Sequence, residues 1–130
     1  MSTGRPLRAI IVDDEKLIRD IIKPALTTLG CDIVGEAESG PDGIRLFEET
    51  SPDLVLLDIR MPDMDGVEVL AALKERTPEA YVVMLTAVDD TEVIEDCMIA
   101  RAKDYLRKTI PVQDMISRLQ RHIDRLGGPA

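Results

Sequence analysis

Three aromatic side chains, Phe47, Tyr81 and Tyr105, are all that the 130 residues carry, and tryptophan is absent. So few rings argue against the stacking platforms on which single-stranded nucleic acids are bound. Cysteine is almost as scarce. Cys31 and Cys97 share no CxxC spacing and have no histidine near them, so buried, reduced thiols are expected rather than a disulfide, a redox pair or a zinc site. No apolar run approaches the ~18 residues of a membrane helix. Met1 to Leu7 has one arginine and no apolar stretch, unlike a secretory leader. A cytoplasmic location away from membranes is expected. Positive charge is in deficit: 16 basic residues face 25 acidic ones, for a net charge of −9. A polyanion of this kind repels nucleic acid and anionic lipid, so neither is expected as a direct partner.

Apolar residues make up 45% and charged residues 32%, the balance of a soluble globular chain. The length suits one domain that buries its own core without disulfide or metal staples. Five β-rich runs alternate with helical patterns. The runs are Leu7–Val12, Asp32–Ala37, Leu54–Leu57, Ala80–Leu85 and Asp104–Arg107. The first, third and fourth are nearly continuous β-branched or leucine residues, as in strands covered by helices on both faces.

Leu17, Ile18, Ile21, Ile22, Ala25, Leu26 and Leu29 keep a helical period, and Gly30 follows as a stop. Ser39, Pro41 and Asp42 open a short helix over Pro41–Glu49. Asp65 with Glu68, and Asp89 with Glu92, mark two further helix starts. Pro111 opens a last helix whose apolar face is Val112, Met115, Ile116, Leu119, Ile123 and Leu126. Strict alternation predicts an α/β fold with a parallel, doubly wound sheet and right-handed crossovers. Residues 7–126 are expected to form one domain, with loose tails at 1–6 and 127–130.

In such a sheet, ligands bind beyond the carboxyl ends of the strands. The first strand ends in Asp13 and Asp14, the third in Asp58, the fourth in Thr86 and the fifth in Lys108. Taken alone, Asp14 reads as a helix cap, Thr86 as a loop hydroxyl and Lys108 as a solvated cation. Their convergence on one edge is what carries information. Three close carboxylates raise one another's pKa values, a conflict that a divalent cation relieves. Carboxylate oxygens with waters and a phosphate oxygen suit Mg²⁺. An aspartate can also attack a phosphoryl group to give an aspartyl phosphate. Lys108 would then supply a second positive charge and Thr86 a hydrogen bond.

The strings IIVDDE (10–15), DLVLLDIRMPDMDG (53–66), LTAVDD (85–90) and AKDYLRK (102–108) resemble the CheY-like receiver domains of two-component response regulators. The resemblance spans most of residues 7–126 and implies a five-stranded sheet of order 2-1-3-4-5 flanked by five helices. It implies that Asp58 is the phosphoacceptor. Asp13 and Asp14 would organise Mg²⁺, with Asp58 and the backbone carbonyl of Ile59 completing the ligands. Thr86 would be the switch hydroxyl, Lys108 the site lysine and Tyr105 the switch aromatic. The implied phosphodonor is a sensor histidine kinase or a histidine phosphotransfer protein. The implied output is control of an unknown partner through the surface of helix four, strand five and helix five, as a monomer or a phosphorylation-dependent dimer.

Several positions depart from the family pattern. Thr109 stands where a cis proline is usual, and a cis non-proline bond costs roughly 3–4 kcal/mol, so a trans bond is expected. Arg101 replaces a usual glycine, so a rearranged helix end is expected there. Pro24 falls inside the first helix and should kink it. Arg60 and Val88 flank the expected phosphoryl site. Arg118, Arg121, His122 and Arg125 on the last helix read as a solvated basic face, or alternatively as a docking surface for an acidic partner.

Two other functions stay in view. A Mg²⁺-dependent aspartyl-phosphate phosphohydrolase of the haloacid-dehalogenase kind expects an acid two residues after the nucleophile, where this chain has Arg60. A pseudo-receiver would act as a constitutive interaction module without being phosphorylated. Only Leu126–Ala130 remain after the last helix, so the stretch is either a stand-alone receiver or a piece of a longer protein. The charge is unevenly placed: residues 1–100 balance to −13 and residues 101–130 to +4.

Overall fold

The computed structural model describes residues 6–87 and 91–127. Among these, five strands alternate with five helices: β1 (Arg8–Val12), α1 (Lys16–Thr28), β2 (Asp32–Ala37), α2 (Gly40–Thr50), β3 (Leu54–Asp58), α3 (Gly66–Arg76), β4 (Val82–Thr86), α4 (Thr91–Ile99), β5 (Asp104–Arg107) and α5 (Val112–Arg125). All pairings are parallel and the sheet order is β2-β1-β3-β4-β5. β4 starts at Val82 rather than Ala80, and β3 runs on to include Asp58. Val88 and the helix start at Asp89 lie outside the described residues.

Successive strand residues point to opposite faces, so the apolar runs feed two cores. Ile10, Val12, Val55, Leu57 and Met84 pack with Phe47, Leu70, Leu73 and Cys97 from α2, α3 and α4. Ala9, Ile11, Leu54, Leu56 and Leu85 pack with Ile22, Leu26, Met115, Leu119 and Ile123 from α1 and α5. Cys31 and Cys97 are buried and unbridged, as expected.

The helix ends follow local chemistry. Ser39 Oγ accepts from the Asp42 N–H and Asp65 Oδ1 from the Glu68 N–H. α1 runs through Pro24 as one helix. It closes at Gly30 (φ 88°), with Cys31 N donating to Leu26 O and Gly30 N to Thr27 O, a Schellman motif. α4 closes in the same way, with Ala102 N on Cys97 O and Arg101 N on Met98 O. The expected rearrangement at Arg101 does not occur. Arg101 keeps the left-handed conformation (φ 71°), because both capping hydrogen bonds depend on it. The described backbone has no cis peptide, so Lys108–Thr109 is trans.

The basic face expected on α5 needs a larger correction. His122 is buried, with its ring nitrogens 2.7 Å from Tyr81 Oη and 2.9 Å from Asp104 Oδ2. Arg118 Nη2 donates to both Asp104 oxygens, at 2.6 and 2.7 Å. His122 sits beside Leu119 and Ile123 on the side of α5 that meets the sheet, and a buried ring must find polar partners there. These bonds hold the Asp104 carboxyl at about 2; burial alone would have raised it.

Candidate functional site

β1, β3, β4 and β5 end side by side, and their last residues or immediate successors carry the chemistry. Asp13 and Asp58 are buried, as is Thr86. Lys108 crosses to them from the end of β5, its own N–H fixed to the Thr86 carbonyl at 2.8 Å. Its Nζ lies 2.9 Å from Asp13 Oδ2, 3.2 Å from Asp58 Oδ2 and 2.6 Å from Glu15 Oε1. One oxygen each from Asp13, Asp14, Glu15 and Asp58 falls within 4.8 Å of the others.

Asp14 is exposed and is not a helix cap. Glu15 is the N-cap residue of α1, and its N–H donates to Asp13 Oδ1 at 2.8 Å. Tyr105 is half-buried against the core on the α2–α4 side. Arg60 is exposed and pairs with no acid among the described residues, while its backbone N–H reaches Asp58 Oδ1 at 3.3 Å. The Ile59 carbonyl accepts from the Gly66 N–H at 2.6 Å, which leaves its second lone pair toward other partners. Gly66 is needed for that turn: a Cβ there would lie 2.2 Å from the Asp58 carbonyl oxygen.

Burial pushes the Asp58 carboxyl up to about 7, with the Asp13 charge adding to it. Burial also raises Asp13. Burial alone would lower Lys108, but its hydrogen bond to Glu15 and the nearby charges of Asp13 and Asp58 outweigh it and hold the ammonium well above its ordinary value.

Asp13 Oδ2 tests whether a divalent cation fits. It is buried, and the Lys108 ammonium 2.9 Å away stands outside hydrogen-bonding alignment, so the oxygen has no hydrogen-bond donor. Hard oxygen donors, excess negative charge and an orphaned carboxylate oxygen together match the needs of Mg²⁺.

Two residues of this centre are not evident from strand ends alone. Glu15 supplies a fourth carboxylate. Arg19, buried on α1, donates from Nη1 to the Asp13 carbonyl at 2.6 Å and from Nε to Glu36 at 2.8 Å. It braces the turn that carries Asp13 and Asp14. The signal for Arg19 was a cation at the i−3 position from buried Ile22 and i−7 from buried Leu26, where an unpaired charge is too costly to bury.

The model of the response regulator receiver domain family matches residues 9–120. The chemotaxis protein CheY of Listeria monocytogenes is 34% identical over 115 residues, covering 88% of this chain and 97% of that one. CheY of Bacillus subtilis is 33% identical over 117 residues, covering 90% and 98%. Among solved structures, one of a CheX–CheY–BeF3–Mg²⁺ complex from Borrelia burgdorferi aligns with a TM-score of 0.87 at 28% identity, covering 93% of this chain and 92% of that one. A CheY-like receiver from Methanospirillum hungatei aligns with a TM-score of 0.85 at 26% identity, covering 94% and 97%. Among the described residues no helix is long and apolar enough to cross a membrane.

Proposed function

The chain belongs to the response regulator receiver domain family, and from that premise we propose that residues 7–126 act in the cytoplasm as a receiver phosphorylated on Asp58. The observation that carries this reading is the meeting of Asp13, Glu15 and Asp58 on the Lys108 ammonium at the carboxyl edge of the sheet. The donor is a phosphohistidine on a sensor histidine kinase or a phosphotransfer protein. An Asp58 carboxylate oxygen attacks phosphorus, the O–P bond forms, the N–P bond breaks, and its electron pair returns to the imidazole nitrogen.

Asp13, Asp14 and Asp58, with the Ile59 carbonyl, hold Mg²⁺, and Glu15 adds a further carboxylate beside them. When bound, Mg²⁺ supplies positive charge to the phosphoryl oxygens. Lys108 contributes the protein's own positive charge. The Thr86 hydroxyl, at the end of β4, donates to a phosphoryl oxygen. Its movement frees space into which Tyr105 turns, which repacks the α4–β5–α5 surface that meets the output partner.

Arg60 two residues after Asp58 disfavours a phosphohydrolase, which needs an acid there. The complete site disfavours a pseudo-receiver. Incubation with Mg²⁺ and acetyl phosphate should add one phosphoryl group, and mass spectrometry should locate it on Asp58. An equal yield of labelled protein from Asp58→Ala refutes the assignment.

A further inference from the structure

β5 is the last strand of the sheet, so one side of its backbone has no strand to pair with. At Tyr105, side chains fill that side. Its N–H donates to Asp104 Oδ1 at 2.8 Å, and its carbonyl accepts from Arg118 Nη2 at 3.3 Å. We propose that Asp104, Arg118 and His122 are positioning residues for the Tyr105 switch: they hold its peptide still, so that phosphorylation turns the ring instead of shifting β5. The proposal rests on the receiver reading, in which Tyr105 turns.

The hold is firm because its parts belong to different elements. The two Asp104 oxygens accept from Arg118 Nη2 at 2.6 and 2.7 Å, and Oδ2 lies 2.9 Å from His122 Nε2. An ionised carboxylate only accepts, so His122 Nε2 carries the proton that joins them. His122 Nδ1 lies 2.7 Å from the hydroxyl of Tyr81, the residue just before β4. The Tyr105 peptide is thereby fixed to α5 and, through His122, to the start of β4. A polar network whose members all find partners stiffens the backbone it touches.

The hold also leaves the ring free. Tyr105 packs with the core on the α2–α4 side, whereas Met115, Leu119 and Ile123 seat α5 on the opposite face. Asp104 precedes Tyr105 in the strand, so its side chain points to that opposite face. The peptide is gripped from one side of the sheet while the ring turns on the other. Without the grip, an edge strand opens at low cost, and β5 itself would shift into the space that Thr86 vacates.

Nuclear magnetic resonance of ring-labelled tyrosine tests this on the full chain. The chain has two tyrosines, and Tyr105→Phe identifies which resonance belongs to Tyr105. Adding Mg²⁺ and beryllofluoride should move the wild-type Tyr105 resonance to a new position. In Asp104→Ala and in the milder Arg118→Met, the ratio of turned to resting Tyr105 should fall about tenfold, while acetyl phosphate still labels Asp58. Asp104→Asn, which keeps an oxygen for the Tyr105 N–H, should restore most of the response. Arg121→Met, an exposed position on the same helix, should respond as the wild type does. Circular dichroism checks that each variant is folded. A merely structural cluster would lower the urea midpoint and leave the Tyr105 response intact. That result, or a response lost equally in Asp104→Asn and Asp104→Ala, overturns the proposal. A wild-type Tyr105 that stays put overturns this proposal and the switch in the receiver reading together. A Tyr105 that moves alike in every variant fails this proposal alone.

Discussion

Asp13, Asp14, Glu15 and Asp58 bring four carboxylates together, three of them on the Lys108 ammonium, and two of the four are buried. Asp58 is raised to about 7 from an ordinary 3.8, first by burial and then by Asp13. The folded chain therefore holds that proton more tightly than the unfolded chain does, and ionising Asp58 opposes folding. The cost is absent below about pH 4, where both states are protonated; it grows up to pH 7 and is complete above it. Without Mg²⁺, Asp58→Asn should be more stable than the wild type by on the order of 2 kcal/mol at pH 8, and by nothing measurable at pH 4. Urea unfolding at both pH values checks this, and a gap that stays constant with pH contradicts it.

Arg19 offers a second test at the same scale. Arg19→Met removes the donor to the Asp13 carbonyl while Lys23 remains on Glu36. Mg²⁺ affinity measured by calorimetry should fall about tenfold, the usual effect of losing a group that orients a ligand. The site residues Asp13, Asp14, Asp58, Thr86 and Lys108 were legible because strand ends fix where side chains stand. Arg19 and Glu15 were not, because their roles depend on how α1 turns away from β1, and no strand end sets that angle.

At the scale of elements, α1 and α4 make the same capping motif with different residues. Gly30 takes the left-handed conformation without a Cβ, whereas Arg101 takes it with one. The order of elements and both cores could be read from apolar periodicity. The end of α4 could not, because propensity alone predicts that arginine avoids positive φ. Two backbone hydrogen bonds, from Arg101 and Ala102, outweigh that preference and keep the helix end intact. The residual strain should show as stability gained on substitution. Arg101→Gly should stabilise the protein by about 1 kcal/mol, less the entropy that glycine adds to the unfolded chain. An unchanged urea midpoint would mean that Arg101 recovers the cost through surface contacts. The same limit on periodicity explains His122. The sequence reads it as part of a solvated basic face, because its partners Tyr81, just before β4, and Asp104, at the start of β5, meet α5 only in the tertiary fold.

Across the whole molecule, the two cores share one sheet, and the acidic centre lies where strands from the middle of that sheet end. Asp13 follows β1, Asp58 closes β3, Lys108 follows β5 and Glu15 is the N-cap residue of α1, so one cluster ties the first strand of the chain to the last. Repulsion among its carboxylates loosens all of them together, and a cation that relieves it should stabilise the fold as a unit. With free Mg²⁺ a hundredfold above its dissociation constant, mass action gives about 2.7 kcal/mol, or roughly 10 °C in Tm for a domain of this size. Scanning calorimetry with Mg²⁺, then after chelation, should show that rise and its loss. General screening of a chain carrying −9 charges also stabilises it, and NaCl at matched ionic strength measures that contribution. A specific site requires that Mg²⁺ exceed NaCl by several degrees and that Asp13→Asn remove most of the excess. Equal shifts from both salts would mean that the carboxylates are only screened, and the phosphoryl chemistry assigned to this edge of the sheet would lose its metal.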